Sequence, residues 1–164
     1  MVPQELGFDL SIDPNPRFVS VVRRFVEATF DRLLTDPDTV FRVAMTAHEL
    51  MENAAKYSLG SKALLRVTFQ REGSEANVSL YLANETTPNH IDRLRERVNA
   101  IASAPDPFAH YQRLMRQTAR TAADESGLGL ARIRAEGEMS LCLDVRGTTV
   151  GLLANARVPV GGEK

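Results

Sequence analysis

Between His48 and Ser58 the chain reads HELMENAAKYS, and four of these side chains, Glu49, Glu52, Asn53 and Lys56, have chemistry suited to a phosphate group. Residues three and four apart on a helix project over the same patch of surface. Glu49, Asn53 and Lys56 have that spacing. A carboxylate, an amide oxygen able to ligate magnesium and an ammonium group then face one small volume. The same spacing also describes a solvated helix face, and Glu52 with Lys56, four apart, is equally a surface ion pair.

A second stretch, Ser126-Gly127-Leu128-Gly129-Leu130, opens the amphipathic segment SGLGLARIRAEG. Glycines just before a helix let backbone amides approach an anion, and the helix N-terminus adds a partial positive charge that favours phosphate. Taken alone, this run is also an ordinary helix entry.

These two stretches need elements to hold them. GFDLSID alternates and predicts an edge strand; NPRFVSVVRRFVEATFDRLL then places Phe18, Val21, Val22, Phe25, Val26, Phe30, Leu33 and Leu34 at helical spacing. Asp36-Pro37-Asp38 breaks that helix. A second runs from about Thr39 to Ser58 and ends at Leu59-Gly60, with glycine in the usual terminating position. Its Val40, Val43, Ala47, Leu50, Met51 and Ala54 fall on the side away from Glu49 and should pack on a sheet. ALLRVTFQR and ANVSLYLAN, joined by EGSE, read as a hairpin. The polar stretch that follows contains two helices, one with Ile91, Leu94, Val98 and Ile101 on a face, the other with Phe108, Tyr111, Leu114 and Met115. MSLCLDV and TVGLLANARV form a last strand pair around Arg146-Gly147-Thr148. Together the elements predict an α+β two-layer sandwich, a mixed, mostly antiparallel sheet covered on one face by helices, in a single domain over 1–164.

Composition narrows the function. The chain has 164 residues, 43% of them apolar and 25% charged, with a formal net charge of -1, so nothing in it calls for nucleic acid. No run of about 18 apolar residues predicts membrane insertion, and the expected location is the cytoplasm. The lone Cys142 sits in an apolar run and reads as a buried thiol. His48, His90 and His110 lack zinc-ligand spacing and read as surface or capping residues. Arg93, Arg95, Arg97, Arg113, Arg116 and Arg120 make the two later helices basic, either as a solvated face or as a docking surface for an acidic partner.

The order of these parts resembles the ATPase domain of the GHKL superfamily, shared by gyrase, a heat-shock chaperone, histidine kinases and MutL. HELMENAAKYS resembles its N box, and SGLGLARIR its glycine box. The resemblance implies the Bergerat-type ATPase fold, ATP and Mg2+ as ligands, and a two-helix lid-like insertion at about 86–125. Glu49 would then act on the nucleophile, Asn53 would hold magnesium, and Lys56 with the amides of Gly127, Leu128, Gly129 and Leu130 would hold the phosphates. Without a phosphoacceptor-histidine helix pair, the chain is most similar to the bacterial anti-sigma-factor serine kinases of partner-switching systems and to the branch that includes the SiaB-type protein kinases. That implies a small antagonist protein as partner and a homodimer formed near the first helix. One part departs from the pattern: where the superfamily has Asp-x-Gly-x-Gly, this chain has Asn84-Glu85-Thr86-Thr87-Pro88. Asn84 can still accept a hydrogen bond from adenine, but an uncharged acceptor makes roughly half as strong a bond. The missing glycines add bulk where the base would lie. Two functions therefore stand side by side, a serine/threonine protein kinase and a domain that has lost its nucleotide and serves as a protein-interaction module.

Overall fold

The computed structural model describes residues 3–121 and 127–161; Ser126 and the last part of the predicted insertion lie outside the described residues. Strand β1 (Glu5–Ile12) alternates as its sequence does, turning Leu6, Phe8, Leu10 and Ile12 toward the core. Helix α1 (Pro16–Phe30) starts where the Asn15 side chain accepts a hydrogen bond from the Arg17 N–H, with proline in its first turn. It buries Val19, Val22, Val26 and Phe30. Phe18, Val21 and Phe25 remain 43–48% exposed, because the apolar stripe is wider than the surface that the sheet offers it. The helix ends at Phe30; Leu33 and Leu34 are buried from the turn beyond it.

Helix α2 (Pro37–Tyr57) begins earlier than its apolar period suggests, since Pro37 is its first residue and Asp36 its cap. Proline there gives up only an N–H that would have no intrahelical partner. Val40, Val43, Ala47, Leu50, Met51 and Ala54 are all buried, as their spacing requires. The predicted glycine terminus is not what ends this helix. Ser58 is extended, and the last carbonyl of the helix, on Tyr57, accepts a hydrogen bond from Thr86 Oγ1 at 2.6 Å.

Strands β2 (Ala63–Glu72) and β3 (Glu75–Glu85) form the predicted hairpin, as do β4 (Ser140–Arg146) and β5 (Thr149–Pro159). Gly73 and Gly147, with φ of 68° and 62°, take the left-handed position that each turn needs. The sheet order is β1-β2-β3-β5-β4, and every pairing is antiparallel. The expected mixed sheet is thus corrected to a purely antiparallel one. Its neighbours are two hairpins, an edge strand and one return connection, and none is a βαβ crossover. Helices cover one face, over a core that includes Phe30, Phe69, Met51, Leu80 and Leu152. The other face carries polar pairs such as Thr68 with Ser79, whose hydroxyls are 2.8 Å apart.

Helix α3 (Pro88–Ser103) buries Ile91, Leu94, Val98 and Ile101 as expected. Helix α4 (Pro107–Thr121) differs: of its four apolar positions only Tyr111 is buried, and Phe108 and Met115 face outward. Its inner side packs on the short helix α5 (Leu128–Ala135), which is too small to cover the whole stripe. Cys142 is exposed, not buried, because it alternates with the buried Leu141 on an edge strand and so faces the open side of the sheet. His90 is buried, contrary to its surface reading, and its ring stacks on Tyr57 with centroids 3.9 Å apart. Among the described residues no helix is long and apolar enough to cross a membrane.

Candidate functional site

The outward face of α2 meets the start of α5 across a cavity of about 360 Å³, within the range of small-molecule sites. Glu49, Asn53 and Lys56 line it from α2, and Gly127, Leu128, Gly129 and Leu130 line it from the other side. Arg97 of α3, Tyr111 and Thr118 of α4 and Arg132 of α5 complete the wall. Seven of the predicted site residues therefore come together. Asn84 does not join them.

Each glycine leaves room that a neighbouring side chain occupies, and the left-handed backbone of Gly127 favours glycine by itself. Gly127 caps α5 with φ of 68°, and a Cβ on it would come within 2.9 Å of the Arg97 side chain. A Cβ on Gly129 would collide with the Glu49 carboxylate. Gly127 supplies no side-chain cap, and the first intrahelical bond of α5 runs from the Ala131 N–H to the Gly127 carbonyl. The amides of Gly129 and Leu130 therefore lie outside the helix's own ladder, at the end where its dipole is positive.

Glu49 is 12% exposed and accepts a hydrogen bond from Arg132 Nη1 at 3.1 Å. Arg132 Nε in turn donates to Glu136 Oε2 at 2.6 Å. The guanidinium is held above the ordinary arginine range, first by its hydrogen bond to Glu136 and then by that to Glu49, with burial opposing both. The Tyr111 phenol is pushed up by burial and by the negative charge of Glu136. Lys56 lies 3.9 Å from Glu52, which also stands 3.8 Å from His48, so the surface ion pair read from the sequence is present too. Asn53 makes no hydrogen bond among the described residues and is partly exposed to the cavity.

Asn84 is buried on β3, where its Nδ2 donates to the Glu85 carbonyl at 3.1 Å. It lines a separate hollow with Gly60, Lys62 and Thr149. The chain beyond it is packed onto the end of α2, where Thr86 is fully buried and bonded to Tyr57 and His90 covers the Tyr57 ring.

The residues present fit the phosphate end of a nucleotide, through Lys56, Arg132 and the α5 amides. Among the described residues no three His, Cys, Asp or Glu side chains gather as a metal cage. A magnesium ion would rest on Asn53, phosphate oxygens and water, the sparse coordination this ion commonly accepts. The position expected to receive adenine, Asn84, lies outside the cavity. Sequence reading missed Arg132, Glu136 and Tyr111 as site residues. The four-residue spacing of Arg132 and Glu136 was the available signal.

Fold and site together define a small α+β sandwich with a polar cavity at a helix N-terminus. No protein-family model matches the sequence, and no curated protein matches it. Among solved structures, it is similar to a chain of the SiaB-SiaC complex from Pseudomonas aeruginosa, with a TM-score of 0.56 and 17% identity over 93% of this chain and 89% of that one. At that identity the likeness is one of fold.

Proposed function

We propose that the protein is a cytoplasmic regulator of the partner-switching kind that binds Mg-ATP and phosphorylates a serine or threonine of a small partner protein. The observation that carries this is the meeting of Glu49, Asn53 and Lys56 with Gly127–Leu130 around one cavity, from stretches far apart in the chain. The fold shared with a chain of the SiaB-SiaC complex, itself an assembly of two proteins, supports the partner. ATP would supply the transferable phosphoryl group and magnesium the charge neutralisation, so the protein's part is positioning and electrostatic stabilisation. Lys56 and the α5 amides hold phosphate oxygens, and Asn53 is the metal's protein ligand. Glu49, kept in place by Arg132, orients the acceptor hydroxyl, in the arrangement of a base held by a third group.

A second reading, a protein-interaction module without nucleotide, is favoured by the place of Asn84 outside the cavity and by the packing of Thr86 and His90 on Tyr57. Calorimetric titration with Mg-ATP separates the two. The kinase reading expects saturable, magnesium-dependent binding that Asn53→Ala removes, while Glu49→Ala binds but transfers no phosphate. The lost adenine contact should weaken binding by about 1.5–3 kcal/mol, or roughly 10- to 150-fold. No saturable binding at millimolar nucleotide leaves the interaction module.

A further inference from the structure

Helix α4 differs from the rest of the surface in its charge. Over Pro107–Thr121 it has no aspartate or glutamate, and Arg113, Arg116 and Arg120 are all exposed. At 3.6 residues per turn the three fall within a sector of about 60°. Several exposed arginines elsewhere are paired, Arg42 with Glu138, Arg66 with Asp9, Arg95 with Asp92, and Arg157 with Glu72 and Glu75, while Arg17, Arg24 and Arg32 are exposed outside any ion pair among the described residues. Among the described residues no ion pair engages Arg113, Arg116 or Arg120. Farther round the helix, about 120° from the centre of that sector, Phe108 is 52% exposed and Met115 38%. Seven residues apart, these two lie along one line of the helix.

We infer that the exposed side of α4, the arginine sector and the adjoining apolar line together, docks an acidic segment of a partner protein that also carries apolar side chains. Arginine, methionine and aromatic residues are the types enriched at protein interfaces, and three like charges with no counterion among the described residues are complemented by a carboxylate-rich surface. Duplex DNA is a poorer match to a chain of net charge -1. Lipid is a poorer match as well, since Tyr111 is turned inward and little of the helix's apolar surface is left to insert. The opposite side of α4 supplies Tyr111 and Thr118 to the cavity. A docked partner is therefore about one helix diameter, ~10 Å, from the proposed phosphate site. The inference rests on the partner-binding half of the proposed function and not on nucleotide binding.

The test is fluorescence anisotropy with a labelled peptide that alternates glutamate pairs with leucine and phenylalanine. Comparison probes are its lysine-for-glutamate counterpart, duplex DNA of equal charge and phosphatidylglycerol vesicles. Saturable binding of the acidic peptide is expected, weakened about ten-fold or more in the variant Arg113→Gln, Arg116→Gln, Arg120→Gln, an effect of about 1.4 kcal/mol. Phe108→Ser should weaken the binding that persists at high salt, and amide shift changes should map to 107–121. All substituted side chains are exposed, and circular dichroism checks that the variants fold. Unchanged affinity in the triple variant, shifts that map elsewhere, no saturation at millimolar peptide, or tighter binding to DNA or vesicles overturns the proposal. Asn53→Ala should bind the peptide as the unaltered protein does. Peptide binding without Mg-ATP binding sinks the kinase reading alone, and Mg-ATP binding without peptide binding sinks the docking surface alone.

Discussion

One oxygen of Glu49 lies against the backbone of Gly129 while the other accepts the Arg132 Nη1 hydrogen bond at 3.1 Å. A carboxylate is thereby fixed over the positive end of α5, beside the amides suited to phosphate. The pair couples the two halves of the cavity. Arg132→Ala leaves a mostly buried carboxylate with an unmet hydrogen bond, and chemical denaturation should show a loss of about 1–3 kcal/mol. Glu49→Ala in the same background should cost much less than it does alone. Additive losses would mean that the two do not act together.

Gly129→Ala drives a methyl group into the Glu49 carboxylate. Overpacking of this kind costs about 1–3 kcal/mol. Most of that loss should return in the double variant Glu49→Ala, Gly129→Ala, read from paired urea melts. By contrast, nothing lies within 4 Å of a Cβ on Gly73, so Gly73→Ala should feel only the strain of its left-handed backbone, about 1 kcal/mol.

Asp36 gives the fold an acid limb. The Thr39 hydroxyl and then the Thr39 N–H donate to its carboxylate and hold its titration below the ordinary value of 3.8. A group depressed in the folded state stabilises fully above its unfolded value, and that contribution is lost as pH falls through the folded one. Asp36→Ala should therefore melt at a lower temperature at neutral pH. The gap to the unaltered protein should shrink only below about pH 3.8. A gap constant down to pH 2 would remove the cap from the account.

The exposed stripe of Phe18, Val21 and Phe25 on α1 is the surface on which we expect two copies to pair. Phe25 is anchored edge-on against Phe8, with ring centroids 5.1 Å apart, so Val21 is the cleaner probe. Light scattering should give a dimer at micromolar concentration and a monomer for Val21→Asp. A monomer at all concentrations up to millimolar would refute the pairing.

Much of this protein is decided by local pattern. Helix period determined which side of α2 and α3 is buried, strand alternation placed β1 at an edge facing the core, and Gly73 and Gly147 marked turns that need a left-handed residue. The two chemical stretches could likewise be read, because each is carried by residues within a turn or two of one another. What tertiary structure alone decided are the contacts between distant segments. Arg132 and Glu49 are 83 positions apart, and no periodicity links them. Burial of His90 depends on Tyr57 arriving from another helix, and exposure of Phe108 on how little of α4 the short α5 can cover. Cys142 faces outward because its side of the sheet is the one that no helix covers, and Asn84 is separated from the cavity by where β3 lies in the sheet and how Thr86 closes α2. Periodicity says which side of an element is apolar; only the packed neighbours decide whether that side is covered, and by what.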